Sequence, residues 1–147
     1  MLIKFDKLGY NRILELLTTT KQMSDCQRHG VAIFGCEILF DYINVKTISI
    51  NSPLIGKCCT GELGKCGCRH AEELLALEGQ FELIIATHSP CAKCYVEFLD
   101  PSKIREYWYV EKYRAGLKHT KDSIFPLVEM SDYDTVAKRW NALRKHK

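Results

Sequence analysis

Near the start of the chain Tyr10, Ile13, Leu14 and Leu17 recur at helical spacing on one face, with Lys7, Arg12 and Glu15 elsewhere. Asp6 stands where an N-cap is needed, and the Thr18-Thr19-Thr20 run is expected to end this helix. A polar stretch from Ser24 to Gly30 gives way to Val31-Ala32-Ile33-Phe34, apolar on both faces as an interior strand would be. Isoleucine alternates with polar residues over Thr47-Ile48-Ser49-Ile50, which predicts a second strand, and Gly35 to Lys46 could extend the two into a hairpin of open register. Asn51-Ser52-Pro53 stops that strand.

The residues that follow, up to Arg69, hold four glycines and four cysteines with few large apolar groups. Such a stretch has little hydrophobic reason to be ordered, so a metal could order it. His70 to Glu78 are strong helix formers with Leu74, Leu75 and Leu77 as the expected inner face, and Gly79 closes the helix. Phe81 to Ala86 reads as a buried strand, and Pro90 as the start of a helix that places Cys91, Cys94, Tyr95 and Phe98 on one side before Asp100-Pro101 ends it. Ile104 to Val110 is an aromatic-rich strand, Glu111 to Lys121 a charged connection, and Phe125 to Met130 a short strand or helix end. Ser131 or Asp132 caps a last helix that buries Val136, Trp140 and Leu143 and leaves Lys138, Arg139, Arg144 and Lys145 solvated. Strands alternating with helices after residue 70 predict an α/β fold, three-layer α-β-α with a central mixed sheet of about five strands, in a single domain over residues 1–147.

At 147 residues, with 46% hydrophobic and 27% charged residues, the composition is that of one globular domain without repeats or low-complexity segments. The longest apolar run, Val31 to Phe40, contains Glu37 and is too short to span a bilayer, and no basic-then-apolar leader opens the chain, so a soluble, cytoplasmic protein is expected. A net charge of +3 suits a phosphate-bearing ligand but falls short of the excess usual in nucleic-acid binders. Eight cysteines would suggest disulfides in a secreted domain; here their clustering with histidine favours metal chemistry in a reducing compartment.

The chemistry concentrates between His70 and Cys94, where His70-Ala71-Glu72 is followed by Ser89-Pro90-Cys91-Ala92-Lys93-Cys94. One imidazole and two thiolates one helical turn apart are three ligands for a tetrahedral Zn²⁺, whose fourth position stays open for water as in catalytic sites. A structural zinc with a fourth cysteine is the alternative, but it leaves the spacing of Glu72 without a purpose. H-x-E followed by P-C-x-x-C is an established signature of zinc nucleobase deaminases, in which the glutamate shuttles protons while activated water attacks C4 of cytosine.

With these motifs in view the chain resembles the cytidine deaminase superfamily and, within it, the deoxycytidylate (dCMP) deaminases, over roughly Ser24 to Arg114. Ser24-x-Cys26-x-Arg28, Asn51-Ser52-Pro53, Thr87-x-Ser89-Pro90 and Tyr113 add to the zinc motifs. The resemblance implies a cytidine deaminase-like fold, zinc held by His70, Cys91 and Cys94, and Glu72 as the catalytic acid and base. It further implies substrate contacts from Asn51, Ala71, Thr87, His88, Ser89 and Tyr113. Each has a plainer reading: Asn51 as a turn residue, His88 at the surface, Tyr113 in packing. Some relatives hold a second, structural zinc, for which Cys26 with Cys58 or Cys59 and one or both of Cys66 and Cys68 form a candidate set; reduced, unmetallated thiols are the alternative. Candidate phosphate partners are Arg28, Lys57, Lys65, Arg69 and Arg114.

Two features depart from the family pattern. Leu74-Leu75 stands where Asn-Ala is usual, and the region after Tyr113 is short. The expected function is deamination of a free cytosine nucleotide, dCMP to dUMP, by a homo-oligomer. The rival is a deaminase of cytosine or adenine within single-stranded DNA or RNA, for which Tyr107, Trp108 and Tyr109 could serve as stacking residues, although their strand context suggests core. A zinc-stabilised binding protein with a retired active site would have lost the glutamate or a ligand, and neither is missing.

Overall fold

The computed structural model describes residues 1–26, 30–53, 68–112 and 125–145. A short strand, β1 (Leu2–Lys4), precedes helix α1 (Lys7–Lys21), whose N-cap Asp6 accepts a hydrogen bond at Oδ1 from the Gly9 amide at 2.8 Å. The threonine run does not end α1, which continues to Lys21. The Thr18 hydroxyl donates to the Leu14 carbonyl at 3.0 Å, so the polar side chain is satisfied within the helix instead of competing with it.

The hairpin left open by the sequence is long: β2 (Ala32–Leu39) pairs antiparallel with β3 (Tyr42–Ile50), with a register shift between Gly35 and Cys36. A Cβ at Gly35 would lie 2.6 Å from the Phe81 ring, so the absence of a side chain admits that ring onto the strand. The turn is the residue pair Phe40-Asp41, with Phe40 at φ 36°. Two tiny strands, β4 (Ser52–Pro53) and β5 (Cys68–Arg69), then pair antiparallel and close the base of the cysteine-rich segment.

Helix α2 (Ala71–Glu78) follows, with His70 as its N-cap and Gly79, at φ 138°, beyond its last turn. Its inner face differs from expectation: Ala71, Glu72 and Leu75 are buried, Leu74 is half-buried, and Leu77 is exposed. Strand β6 (Leu83–His88) leads to α3 (Ala92–Glu97), which starts two residues later than Pro90 because Cys91 is the N-cap and its sulfur accepts from the Cys94 amide at 3.4 Å. Strands β7 (Glu106–Glu111) and β8 (Leu127–Glu129) and helix α4 (Tyr133–Lys145) complete the described chain. Asp132 caps α4, accepting from the Thr135 amide at 2.8 Å.

The main sheet has six strands in the order β1-β3-β2-β6-β7-β8, one more than expected, the addition being β1. Pairing is antiparallel from β1 to β6 and parallel from β6 to β8, so the sheet is mixed. Period-two alternation divides the core. Phe34, Ile38, Ile85 and Trp108 face α1 and α4, whereas Ile33, Ile84, Ala86, Tyr107 and Tyr109 share the other face with α2. The layers are therefore helix, sheet, helix. Arg139 and Arg144 are not simply solvated: Arg139 forks onto buried Glu106 at 2.9 and 3.2 Å, and Arg144 reaches Asp41 at 2.6 Å. Among the described residues no helix is long and apolar enough to cross a membrane.

Candidate active site

The parallel strand β6 points its C-terminal end at the loop that becomes α3, which is where open α/β sheets gather their ligands. Cys91 and Cys94 come from that helix start, and His70 from the start of α2. Their donor atoms lie within 4.8 Å of one another. His70 Nδ1 is 3.4 Å from Cys91 Sγ and 3.2 Å from Cys94 Sγ. Bonds of about 2.1 Å to nitrogen and about 2.3 Å to sulfur in a tetrahedron require donors roughly 3.6 Å apart. Both nitrogen–sulfur spacings fall within a few tenths of an ångström of that, so the three donors fit zinc in type and His70 fits it in its distance from each sulfur. Burial grades across the three, from exposed His70 through Cys91 to fully buried Cys94.

The two thiols share a proton unequally. Cys91 is pulled down to about 4, chiefly by the hydrogen bond it accepts from Cys94 and then by His70. Cys94 is pushed up by donating that hydrogen bond and by its burial.

Glu72 lies on the first turn of α2, 5% exposed, with its carboxyl against Cys94. Burial raises its pKa above the usual carboxylate range, a backbone hydrogen bond and His70 oppose the rise, and the charge of Cys91 adds to it. The Tyr107 hydroxyl approaches Glu72 Oε1 at 3.1 Å and the His88 carbonyl at 3.0 Å. Burial and the neighbouring Glu72 keep Tyr107 protonated, hence a donor. Sequence reading did not assign Tyr107 to the site, and its only local signal was a phase in β7 that faces α2.

The remaining predicted residues form the surroundings. Ala71 is buried behind His70. Thr87 Oγ1 accepts from the Ala32 amide at 3.1 Å and lies 2.9 Å from His88 Nδ1. His88 Nε2 is 3.0 Å from Glu111 Oε2. Nε2 faces the Glu111 carboxylate and Nδ1 the Thr87 hydroxyl, which also reaches the Ala32 carbonyl at 3.4 Å, so both ring nitrogens are engaged within the chain. Ser89 is buried, and its amide donates to the Glu111 carbonyl at 2.9 Å. Glu111 is the second residue that sequence reading missed.

Asn51 is buried and ties two segments together. Its Oδ1 accepts from the Ser24 hydroxyl at 2.7 Å and from the Val31 amide at 2.8 Å. Ser52 opposite Arg69 in the β4–β5 ladder sets a register that, continued by one residue, brings Asn51 opposite His70. Arg69 is engaged with Glu73, at 3.2 Å. Cys68 lies on β5 two residues before His70, and the Cys26 amide donates to Ser24 Oγ at 3.2 Å. Cys58, Cys59, Cys66, Tyr113, Arg28, Lys57, Lys65 and Arg114 lie outside the described residues.

The chain matches no protein-family model and no curated protein sequence. Among solved structures it is similar to the dCMP deaminase of the cyanophage S-TIM5 in complex with dCMP and dUMP, with a TM-score of 0.64 and 18% identity over 86% of this chain and 99% of that one. The apo form of the same phage protein gives a TM-score of 0.60 and 16% identity over 86% and 100%. At such identity the likeness establishes architecture, and it agrees with the layers and mixed sheet described above. This chain therefore has a cytidine/deoxycytidylate deaminase-like α/β fold.

Proposed function

We propose that the chain is a zinc-dependent hydrolytic deaminase that converts a cytosine nucleotide, dCMP foremost, and water into the uracil nucleotide and ammonia. One observation carries the reading: His70 Nδ1 and the sulfurs of Cys91 and Cys94 converge beside a buried glutamate. Zinc, when bound, supplies a Lewis acid that lowers the pKa of water so that a nucleophile exists near neutral pH. His70, Cys91 and Cys94 hold it. Glu72 takes one proton from the attacking water and passes it to ring N3, then takes the second from the new C4 hydroxyl and delivers it to the departing amine as the C4–N bond breaks. Its upward-shifted pKa suits a group that must hold a proton for part of the cycle. Asn51, Ala71, Thr87, Ser89 and Tyr113 bind the nucleotide, and His88, its ring nitrogens engaged, contributes through its backbone and ring face. The second zinc, on Cys26 with Cys58 or Cys59 and one or both of Cys66 and Cys68, belongs to the same proposal, as does a single domain acting as a homo-oligomer.

The nucleic-acid reading loses its sequence support. Tyr107 and Trp108 are fully buried and Tyr109 is 4% exposed, so none offers a stacking platform. A substrate panel tests the choice. Zinc-loaded protein is incubated with dCMP, CMP, deoxycytidine and a cytosine-containing oligonucleotide while ammonia is followed. Release from dCMP above the others is expected; release from the oligonucleotide alone, or from none of the four, contradicts the proposal.

A further inference from the structure

Tyr107 sits in mid-strand, fully buried, on the sheet face that also holds Ala71 and Leu75. A phenylalanine would fill nearly the same volume there. The hydroxyl is nonetheless withdrawn from water, a costly placement unless it is used. It meets two acceptors, Glu72 Oε1 at 3.1 Å and the His88 carbonyl at 3.0 Å. A phenol has one proton, so that proton is given to one acceptor or shared between both. Glu72 belongs to α2, His88 ends β6, and Tyr107 belongs to β7. One hydroxyl on a third element thus links the carboxylate to the strand end from which Cys91 and Cys94 follow.

We propose that Tyr107 is a positioning residue, whose hydroxyl fixes one oxygen of Glu72 against the end of β6 and so keeps the other oriented for proton transfer. This rests on the deaminase reading above. Tyr107 acts through Glu72 and the His88 backbone, so its loss slows the chemical step and spares substrate binding.

The test is Tyr107→Phe in zinc-loaded protein, which removes only the hydroxyl. With dCMP, kcat is expected to fall about tenfold, the order of one well-placed hydrogen bond, while KM stays within about twofold. Zinc content and melting temperature stay at wild-type values, and the carboxyl-carbon NMR resonance of Glu72 moves. An active wild type with an unchanged kcat in the variant overturns the proposal, as does a lower kcat accompanied by a higher KM and a lower melting temperature, the mark of a packing role. A wild type that deaminates none of the cytosine compounds overturns the functional reading and with it the catalytic use of this contact; the resonance shift then still reports whether the contact itself exists.

Discussion

Cys94 is the deepest of the three candidate ligands, and its burial with Cys91 and Glu72 around it makes it the residue least able to be replaced. A serine there would present a poor ligand for zinc in a pocket shaped for sulfur. Cys94→Ser is therefore expected to lose most bound zinc by elemental analysis and to lower the melting temperature, because the ion would join the starts of α2 and α3. Full zinc retention would contradict the ligand assignment. The trio and Glu72 were legible because each sits within a few residues of another in a helix start, where local geometry decides who meets whom. Tyr107 and Glu111 were not. They reach the site through parallel pairing, Ile84 opposite Tyr107 and His88 opposite Glu111, and such a long-range register leaves no mark in a local pattern.

Elements with strong periodicity emerged close to their expected bounds. Val136, Trp140 and Leu143 are buried in α4 as their spacing requires. Boundaries failed where a local rule had a competing solution. Three threonines suggested a helix end, yet Thr18 bonds back to Leu14 and α1 runs on. The β2–β3 turn carries no glycine or asparagine at Phe40, which has φ 36°. Arg144 instead braces that turn, bonding Asp41 and lying 5.7 Å from the centre of the Phe40 ring. The basic face of α4 was read as wet, but Glu106 beneath it accepts from Arg139 twice and from Trp108 Nε1 at 3.0 Å. Removing Arg139 would leave a buried carboxylate short of its cation. Arg139→Ala is thus expected to destabilise the fold by about 1–2 kcal/mol in urea unfolding, with partial recovery when Glu106→Gln is added. A loss no larger than that of an exposed surface pair would show that the ion pair contributes little.

At the scale of the whole molecule, the alternation of elements after residue 70 implied helices on both faces of a mixed sheet, and that arrangement is present. The extra strand, β1, has three residues, too few for alternation to show, and only pairing with β3 defines it. The antiparallel half of the main sheet leads into Asn51, just before the separate β4–β5 ladder whose Ser52–Arg69 pair precedes His70, while the parallel half delivers the cysteines at the end of β6 and Tyr107 beneath Glu72. The site thus draws on both halves, which explains why its outer parts could be named only by resemblance. The central claim is that a His-Cys-Cys zinc and the adjacent glutamate together deaminate a cytosine nucleotide. Its most direct test is ammonia release from dCMP by wild-type and Glu72→Ala proteins brought to equal measured zinc content. The account predicts turnover by the wild type and none detectable from the variant; equal turnover by the two, or a silent wild type, would contradict it.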